Sequence, residues 1–525
     1  MRAADLPRYY NAVDILEHNM ATRPHKVALY SAERVMTFAE VVAESNQAGN
    51  ALTHLGVRQG DYVGILAPDS AEWVTAFFGA IKIGAIAIGM NTLLKPYEYD
   101  YILRDSRARV LIVHESLLPA IEPLRDQHPH LTHVVVIGQP TRPHDLTFQT
   151  WMSGVSTDLN AAPTHRDDFC TLNYSSGTTG EPKGVLHAHK DYPLIAQLSG
   201  VNLFGLRETD RTFAVAKLFF VYGIGGNLIF PWYVGASTIL YAGSTRLVTS
   251  VLETVARFKP TVFYSVPTAY VATLTLHHFA ERYDLSSIRL CLSAGEALPA
   301  SVWQAWKAQT GLTILDTVGC TESLHTFLAN RPDDIRPGSS GKPSPGYDIR
   351  LVDDEGADVP EGEIGNLMVR GESVALSYLH QYEKSRQTFR GEWLFTNDKF
   401  YQDTDGYYWH AGRADDMLKV AGLWVSPMEI ESTLISHPAV LECAVVGQTD
   451  HAELIKPKAF VCLRPGYEPS TALTQDLLHH CAQSLAAHKS PRWIDFVDEL
   501  PKTATGKIQR FKLRSVPQAS LTSVS

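Results

Sequence analysis

Between Asn173 and Gly184 the sequence reads NYSSGTTGEPKG, three glycines, two serines and two threonines gathered round Lys183. Such a stretch suits a polyphosphate, because glycines let backbone N–H groups approach closely while hydroxyls add donors and the lysine a point charge. It does not spell the nucleotide loop G-x-x-x-x-G-K-[ST], since Lys183 is followed by Gly184. Its flanks, FCTLNYSS and GVLHAH, are short apolar runs of strand type. They predict strand–loop–strand, with no helix N-terminus to help hold the anion. Taken alone, the stretch reads equally as a surface turn rich in Gly, Ser and Thr.

Four further constellations carry chemistry. DTVGCTES, Asp316 to Ser323, follows the strand-like LTIL and offers Glu322 as a carboxylate for Mg²⁺, an ion that prefers oxygen ligands and substrate phosphates. In TNDKF, Asp398 follows a turn and suits the hydroxyls of a ribose, although an Asx-turn explains it as well. HAGRADDMLKVAGLWVSPMEIE holds Arg413, Asp415, Lys419 and Gly422, and PKTATGKIQR holds Lys507 after a glycine turn. From Lys489 to Arg514 seven Lys and Arg stand against three Asp and Glu, so this segment can meet an anion.

These groups must be positioned by a chain of 525 residues, long enough for more than one core. Hydrophobic residues at 45% and charged ones at 19% fit a globular protein, and a net charge of −10 argues against a nucleic-acid partner. Six scattered cysteines with no C-x-x-C indicate neither a disulfide framework nor a thiolate zinc site, which fits a reduced cytoplasm. The N-terminus has no continuous apolar run of the secretory kind, and the most apolar stretch, Ala214 to Ala242, carries Lys217, Pro231 and four glycines, so it reads as buried core and not as a membrane span. VGILAP, VLIVHE, HVVVIG, TVFYSV and LCLSAG alternate with amphipathic segments of helix length, the pattern of α/β layers with parallel strands. After Gly341 short strands separated by Asp-Gly, Glu-Gly and Gly-Glu turns predict a β-rich subdomain. Beyond Arg413 about 110 residues of βαβ-like pattern suffice for a small α+β domain. The expected division is therefore 1–413 and 414–525.

Together the five motifs resemble the adenylate-forming superfamily of acyl-CoA ligases, nonribosomal adenylation domains and luciferases, from the first helix to about Arg514. KLFFVYGIGGNLIFP, SAGEALP and GCTESLHTFLANRP look most like the benzoate-type aryl-CoA ligases. The resemblance implies an AMP-forming ligase that activates a small aromatic acid with ATP and Mg²⁺ and passes it to coenzyme A. It assigns Ser175, Ser176, Gly177, Thr178, Thr179, Gly180 and Lys183 to the β- and γ-phosphates, Thr321 to the α-phosphate and Glu322 to the metal. Adenine falls to Ala294, Gly295, Glu296, Asp316, Thr317 and Val318, and the ribose to Asp398 and Arg413. Lys507 is implied as the catalytic lysine delivered by a mobile domain, Asp415 as the hinge, and Lys419 and Gly422 as residues of the CoA channel. Val318 departs from the aromatic residue of many members, and Asn397 replaces the Gly usual before the ribose-binding Asp, a change Asn tolerates because it visits positive φ.

The acid pocket is implied at Phe220, Val221, Tyr222, Gly226, Val318 and His325. KLFFVYGIGG has no carboxylate to hold an α-ammonium, which disfavours an amino-acid substrate of that kind; its aromatic side chains suit a flat ring, and His325 can meet a ring hydroxyl or amino group. Its glycines do not complete a dinucleotide fingerprint. Two other readings stay open at this point: loading of an acyl carrier protein's thiol, and a catalytically silent adenylate-binding protein, which retention of Lys183, Glu322 and Lys507 counts against.

Overall fold

The computed structural model describes residues 1–175, 181–244, 247–413, 416–420, 423–450, 454–502 and 508–514, without the side chains of Lys419, Leu423 and Trp424. Apolar runs become strands as expected. Tyr62–Leu66, Val110–His114 and His133–Ile137 lie side by side and parallel in a seven-stranded sheet. Val262–Ser265, Leu290–Ser293 and Ile314–Gly319 do the same in a nine-stranded sheet. After Gly341 comes the β-rich part, a five-stranded antiparallel sheet that includes Gly365–Arg370, Trp393–Gln402 and Tyr408–Arg413.

Helices cover the sheets, and local sequence sets where they start. Thr37 caps Phe38–His54 reciprocally with Glu40: the Thr37 hydroxyl accepts from the Glu40 N–H and the Glu40 carboxylate from the Thr37 N–H. Ser70 caps Ala71–Lys82 through the Trp73 N–H. These two helices meet at glycine. A Cβ on Gly79 would lie 2.8 Å from Ala48 Cβ, 2.8 Å from Gly49 N and 2.9 Å from Ser45 O. That close approach lets Ala71–Lys82 bury almost every side chain, including Lys82, whose ammonium meets Glu17 and Asn46.

Ala214 to Ala242 folds as the core segment its composition indicates, with the helical turns Val221–Ile224 and Phe230–Tyr233 joined by a π-helical turn over Gly225–Ile229. Beyond residue 413, Val440–Thr449 pairs antiparallel with Ile455–Leu463, which pairs parallel with Trp493–Phe496 through the helix Thr471–Ser484. One crossover is thus βαβ and the other connection a hairpin. Ile430, Leu434, Val445, Val461, Leu477 and Cys481 form a core of their own there. Arg510 grips both oxygens of the buried Glu431 at 2.9 and 2.8 Å, tying the final helical turn to this core.

Gly79→Val should place its branch against backbone atoms that cannot move aside. Overpacking of this kind costs about 1–3 kcal/mol, and urea unfolding should read a lower midpoint with an unchanged slope.

Candidate active site

The loop's flanks are antiparallel strands, Phe169–Ser175 and Lys183–Ala188, in register from Phe169 opposite Ala188 to Ser175 opposite Lys183. This is the predicted strand–loop–strand. Ser175 and Lys183 therefore face each other at the mouth of the loop. Ser176, Gly177, Thr178, Thr179, Gly180, Asp415, Gly422 and Lys507 lie outside the described residues, as does the side chain of Lys419.

Glu322 comes to the same mouth from the nine-stranded sheet. Strand Ile314–Gly319 ends in the 3-10 turn Thr321–Ser323, closed by Leu324 at φ 66°. Tyr378 Oη donates to Glu322 Oε1 at 2.7 Å, and the Lys183 ammonium stands 5.1 Å from the centre of the Tyr378 ring. Burial lowers the Lys183 pKa, against the pull of Glu322 in the other direction. The segment bearing Tyr378 is stitched in place, with Ala375 N–H on Glu322 O at 2.8 Å and Leu379 N–H on Gly184 O at 2.8 Å. Sequence reasoning missed Tyr378, because neither charge, glycine nor turn chemistry distinguishes it within VALSYLH.

Asp316 and Thr317 are buried in Ile314–Gly319, Val318 is half-buried beside them, and Ala294, Gly295 and Glu296 follow the adjoining strand Leu290–Ser293, with Gly295 at φ 93°. Farther along the chain, Asp398 accepts from Arg413 at 3.0 Å, opposite it in the ladder between Trp393–Gln402 and Tyr408–Arg413. Burial works upward on the Asp398 carboxyl, but His410 and Arg413 outweigh it and hold the group below its ordinary value. Asn397 sits at φ 64°, the left-handed conformation expected of a residue standing in for Gly.

The pocket residues divide. Tyr222 and His325 come together with ring centres 5.7 Å apart, and Tyr222 also meets Tyr264 edge-on at 5.8 Å. Gly226 makes room for the Tyr264 ring, which a Cβ there would approach to 2.7 Å. Val221 packs half-buried against the main core. Phe220 instead lines a small cavity with Gly89, Met90, Asn91, Tyr174 and Pro182. His325 is held by Thr326 Oγ1, 2.9 Å from Nδ1, and by the Phe230 ring at 4.5 Å. Burial pushes its pKa down to about 3, with a backbone contact to Tyr222 opposing, so the imidazole is neutral. His325 Nε2 and Tyr222 Oη are buried without a partner among the described residues.

Two family models match the chain. That of the AMP-binding enzymes covers residues 16–379, and that of the AMP-binding enzyme C-terminal domain covers 429–507. The chain belongs to the AMP-binding enzyme family. It is 46% identical over 517 residues to a benzoate–CoA ligase of Thauera aromatica, covering 98% of this chain and 97% of that one. Its fold is similar to the crystal structure of an anthranilate CoA ligase in complex with anthranoyl-AMP, at 63% identity and a TM-score of 0.95 over 98% of each chain. A benzoate CoA ligase from Burkholderia xenovorans LB400 is similar at 38% identity and a TM-score of 0.89, covering 96% of this chain and all of that one. No helix among the described residues is long and apolar enough to cross a membrane.

Burial also pushes Asp316 up to about 8, against the Leu298 and Thr317 N–H groups and Ser293. Between the ordinary value of 3.8 and about 8 the folded protein keeps a proton there that the unfolded chain has released. This contribution to stability is present in full below about pH 4 and is lost as pH rises through about 8. Asp316→Asn mimics the protonated carboxyl, so its Tm should fall less than wild type between pH 6 and pH 9; parallel curves would show that Asp316 titrates normally.

Proposed function

We propose that this AMP-binding enzyme is an acid–CoA ligase for benzoate-type acids. It joins the carboxylate of the acid to the α-phosphate of ATP, releases pyrophosphate, and transfers the aroyl group from the adenylate to the thiol of coenzyme A, releasing AMP. The observation that carries this reading is the meeting of Lys183 and Glu322 across Tyr378 at the mouth of the hairpin, a lysine and a carboxylate converging where a triphosphate needs them. Similarity to aryl-CoA ligases along nearly the full length supports the same conclusion.

On this reading Ser175 and Lys183, with the loop between them, hold the β- and γ-phosphates, and Thr321 meets the α-phosphate. Glu322 fits Mg²⁺: one carboxylate oxygen is engaged by Tyr378, and an ion of this kind uses one or two carboxylates together with substrate phosphates. That ion would offset the negative charge of the phosphates. Ala294, Gly295, Glu296 and the strand Asp316 to Val318 take the adenine, and Asp398 and Arg413 the ribose. Lys507 stabilises the charge passing between carboxylate and phosphate, and the loop round Gly422 lines the thiol's approach after a turn at Asp415. The units are 1–413 and 414–525, a division supported by the separate core of the second.

The acid carries a polar ring substituent, with 2-amino foremost. The support is the neutral His325 with its unpartnered Nε2, and the similarity to an anthranilate CoA ligase. A site built for such a group discriminates strongly against an acid lacking it, because the buried nitrogen is then left unpaired.

A thioester-release screen should rank 2-aminobenzoate and hydroxybenzoates by kcat/KM above hexanoate and octanoate; a fatty acid outcompeting every aryl acid would overturn the pocket reading. Glu322→Gln should slow adenylation without changing Tm, and undiminished rates at ordinary Mg²⁺ would remove Glu322 from the metal. Lys507→Ala should lose about 10²–10³ in adenylation while still converting supplied aryl-adenylate and CoA to thioester. Gly422→Trp should keep pyrophosphate exchange and lose thioester formation. Equal loss of both half-reactions in a folded Lys507→Ala variant would defeat the two-step assignment.

A further inference from the structure

A fully buried imidazole that none of the roles above uses lies behind the phosphate-facing groups. His187 sits on Lys183–Ala188, the strand that opens with Lys183, and its side chain is 0% exposed. Nε2 lies 2.7 Å from the carbonyl oxygen of Thr321. A carbonyl can only accept, so Nε2 carries a proton and donates it. The other nitrogen, Nδ1, faces Asp191 Oδ2 at 3.1 Å, and the same oxygen accepts from the Ala188 N–H at 2.9 Å. The ring is thus fixed at both ends, one by a carboxylate that is itself held and one by the peptide that links Thr321 to Glu322.

We infer that His187, oriented by Asp191, is a positioning residue for the Thr321–Glu322 turn and so for ATP in the adenylation step. Two strands from different sheets contribute to that step, Lys183–Ala188 from the seven-stranded sheet and Ile314–Gly319 from the nine-stranded one. Tyr378 joins them at the carboxylate of Glu322, and His187 joins them at the backbone of Thr321. With the carbonyl held, the Thr321 hydroxyl and the Glu322 carboxylate keep a fixed direction relative to Lys183. The inference rests on the adenylation reading given above. Its effect falls on ATP and not on the aryl acid or the thiol transfer, because His325, although it follows the same turn, has its ring seated separately against Tyr222, Phe230 and Thr326.

Three proteins test it: wild type, His187→Leu, which fills the space without a donor, and His187→Gln, whose amide N–H can still reach the Thr321 carbonyl. Loss of a group that orients a ligand-bearing residue costs about 10–100-fold. His187→Leu should therefore weaken ATP binding measured calorimetrically without acid, and lower kcat/KM for ATP in pyrophosphate exchange, both by about that factor. KM for the aryl acid and thioester formation from supplied aryl-adenylate and CoA should stay within about twofold of wild type, and His187→Gln should recover most of the loss. Unchanged ATP binding and exchange in a folded His187→Leu protein would overturn the inference, as would equal losses in both half-reactions. If His187→Leu does not fold, His187→Gln and Asp191→Asn decide: wild-type values for ATP in both would likewise overturn it. Absence of exchange in the wild-type protein would instead remove the adenylation reading, and this inference with it.

Discussion

Backbone pairing between Phe169–Ser175 and Lys183–Ala188 runs antiparallel at the edge of a sheet whose other neighbours are parallel. Parallel strands require long crossovers, so a parallel neighbour could not return the chain within the seven residues from Ser176 to Pro182. The antiparallel ladder can. It fixes Ser175 opposite Lys183, and Tyr378 and Glu322 meet beside that ladder. Tyr378 forms an isolated bridge with Val185, and Leu379 donates to Gly184. A slip of one residue in the hairpin would turn Lys183 to the other face and carry these partners out of reach.

Around the proposed acid pocket the protein tolerates polar atoms that burial makes costly. An unpaired buried donor or acceptor costs about 1–3 kcal/mol, yet Tyr222 Oη and His325 Nε2 both lack partners among the described residues. Such groups are expected where a ligand completes the hydrogen bonding, and they exclude ligands that cannot. The two glycines of the π-helical turn serve the same region. A Cβ at Gly225 would lie 2.4 Å from the His325 ring and one at Gly226 2.7 Å from Tyr264, so the aromatic groups come to rest directly on backbone.

The segment beyond residue 413 is built differently from the layers before it. Its three-stranded sheet and two covering helices bury a compact apolar core, and the pairing of Arg510 with Glu431 secures the chain end. A unit with its own core can change its seating without unfolding, which suits the proposed use of Lys507 in one step and of the Gly422 loop in the next.

Most of the strands were legible in the sequence because a parallel sheet covered on both faces demands continuous apolar runs, and VLIVH and LCLS are such runs. The strand–loop–strand at Lys183 followed from its flanks, and the positive φ of Asn397 from its side-chain chemistry. Motif spacing was enough to point to the chemistry, since glycines, hydroxyls and charges near one another in the chain remain near one another in space. Tyr378 and His187 were not legible. Each acts on a distant residue, Tyr378 on Glu322 56 positions away and His187 on Thr321 134 positions away; VALSYLH carries no sign of a site, and GVLHAH reads only as the strand that flanks one. Phe220 and Tyr222, two residues apart, reach different surroundings because the chain enters a helical turn between them. Local sequence determined which groups are present and which elements carry them. Only the packing of two sheets against each other decided which groups meet, because the contacts at Glu322, Thr321 and His325 join segments whose distance apart in the chain leaves no periodic trace.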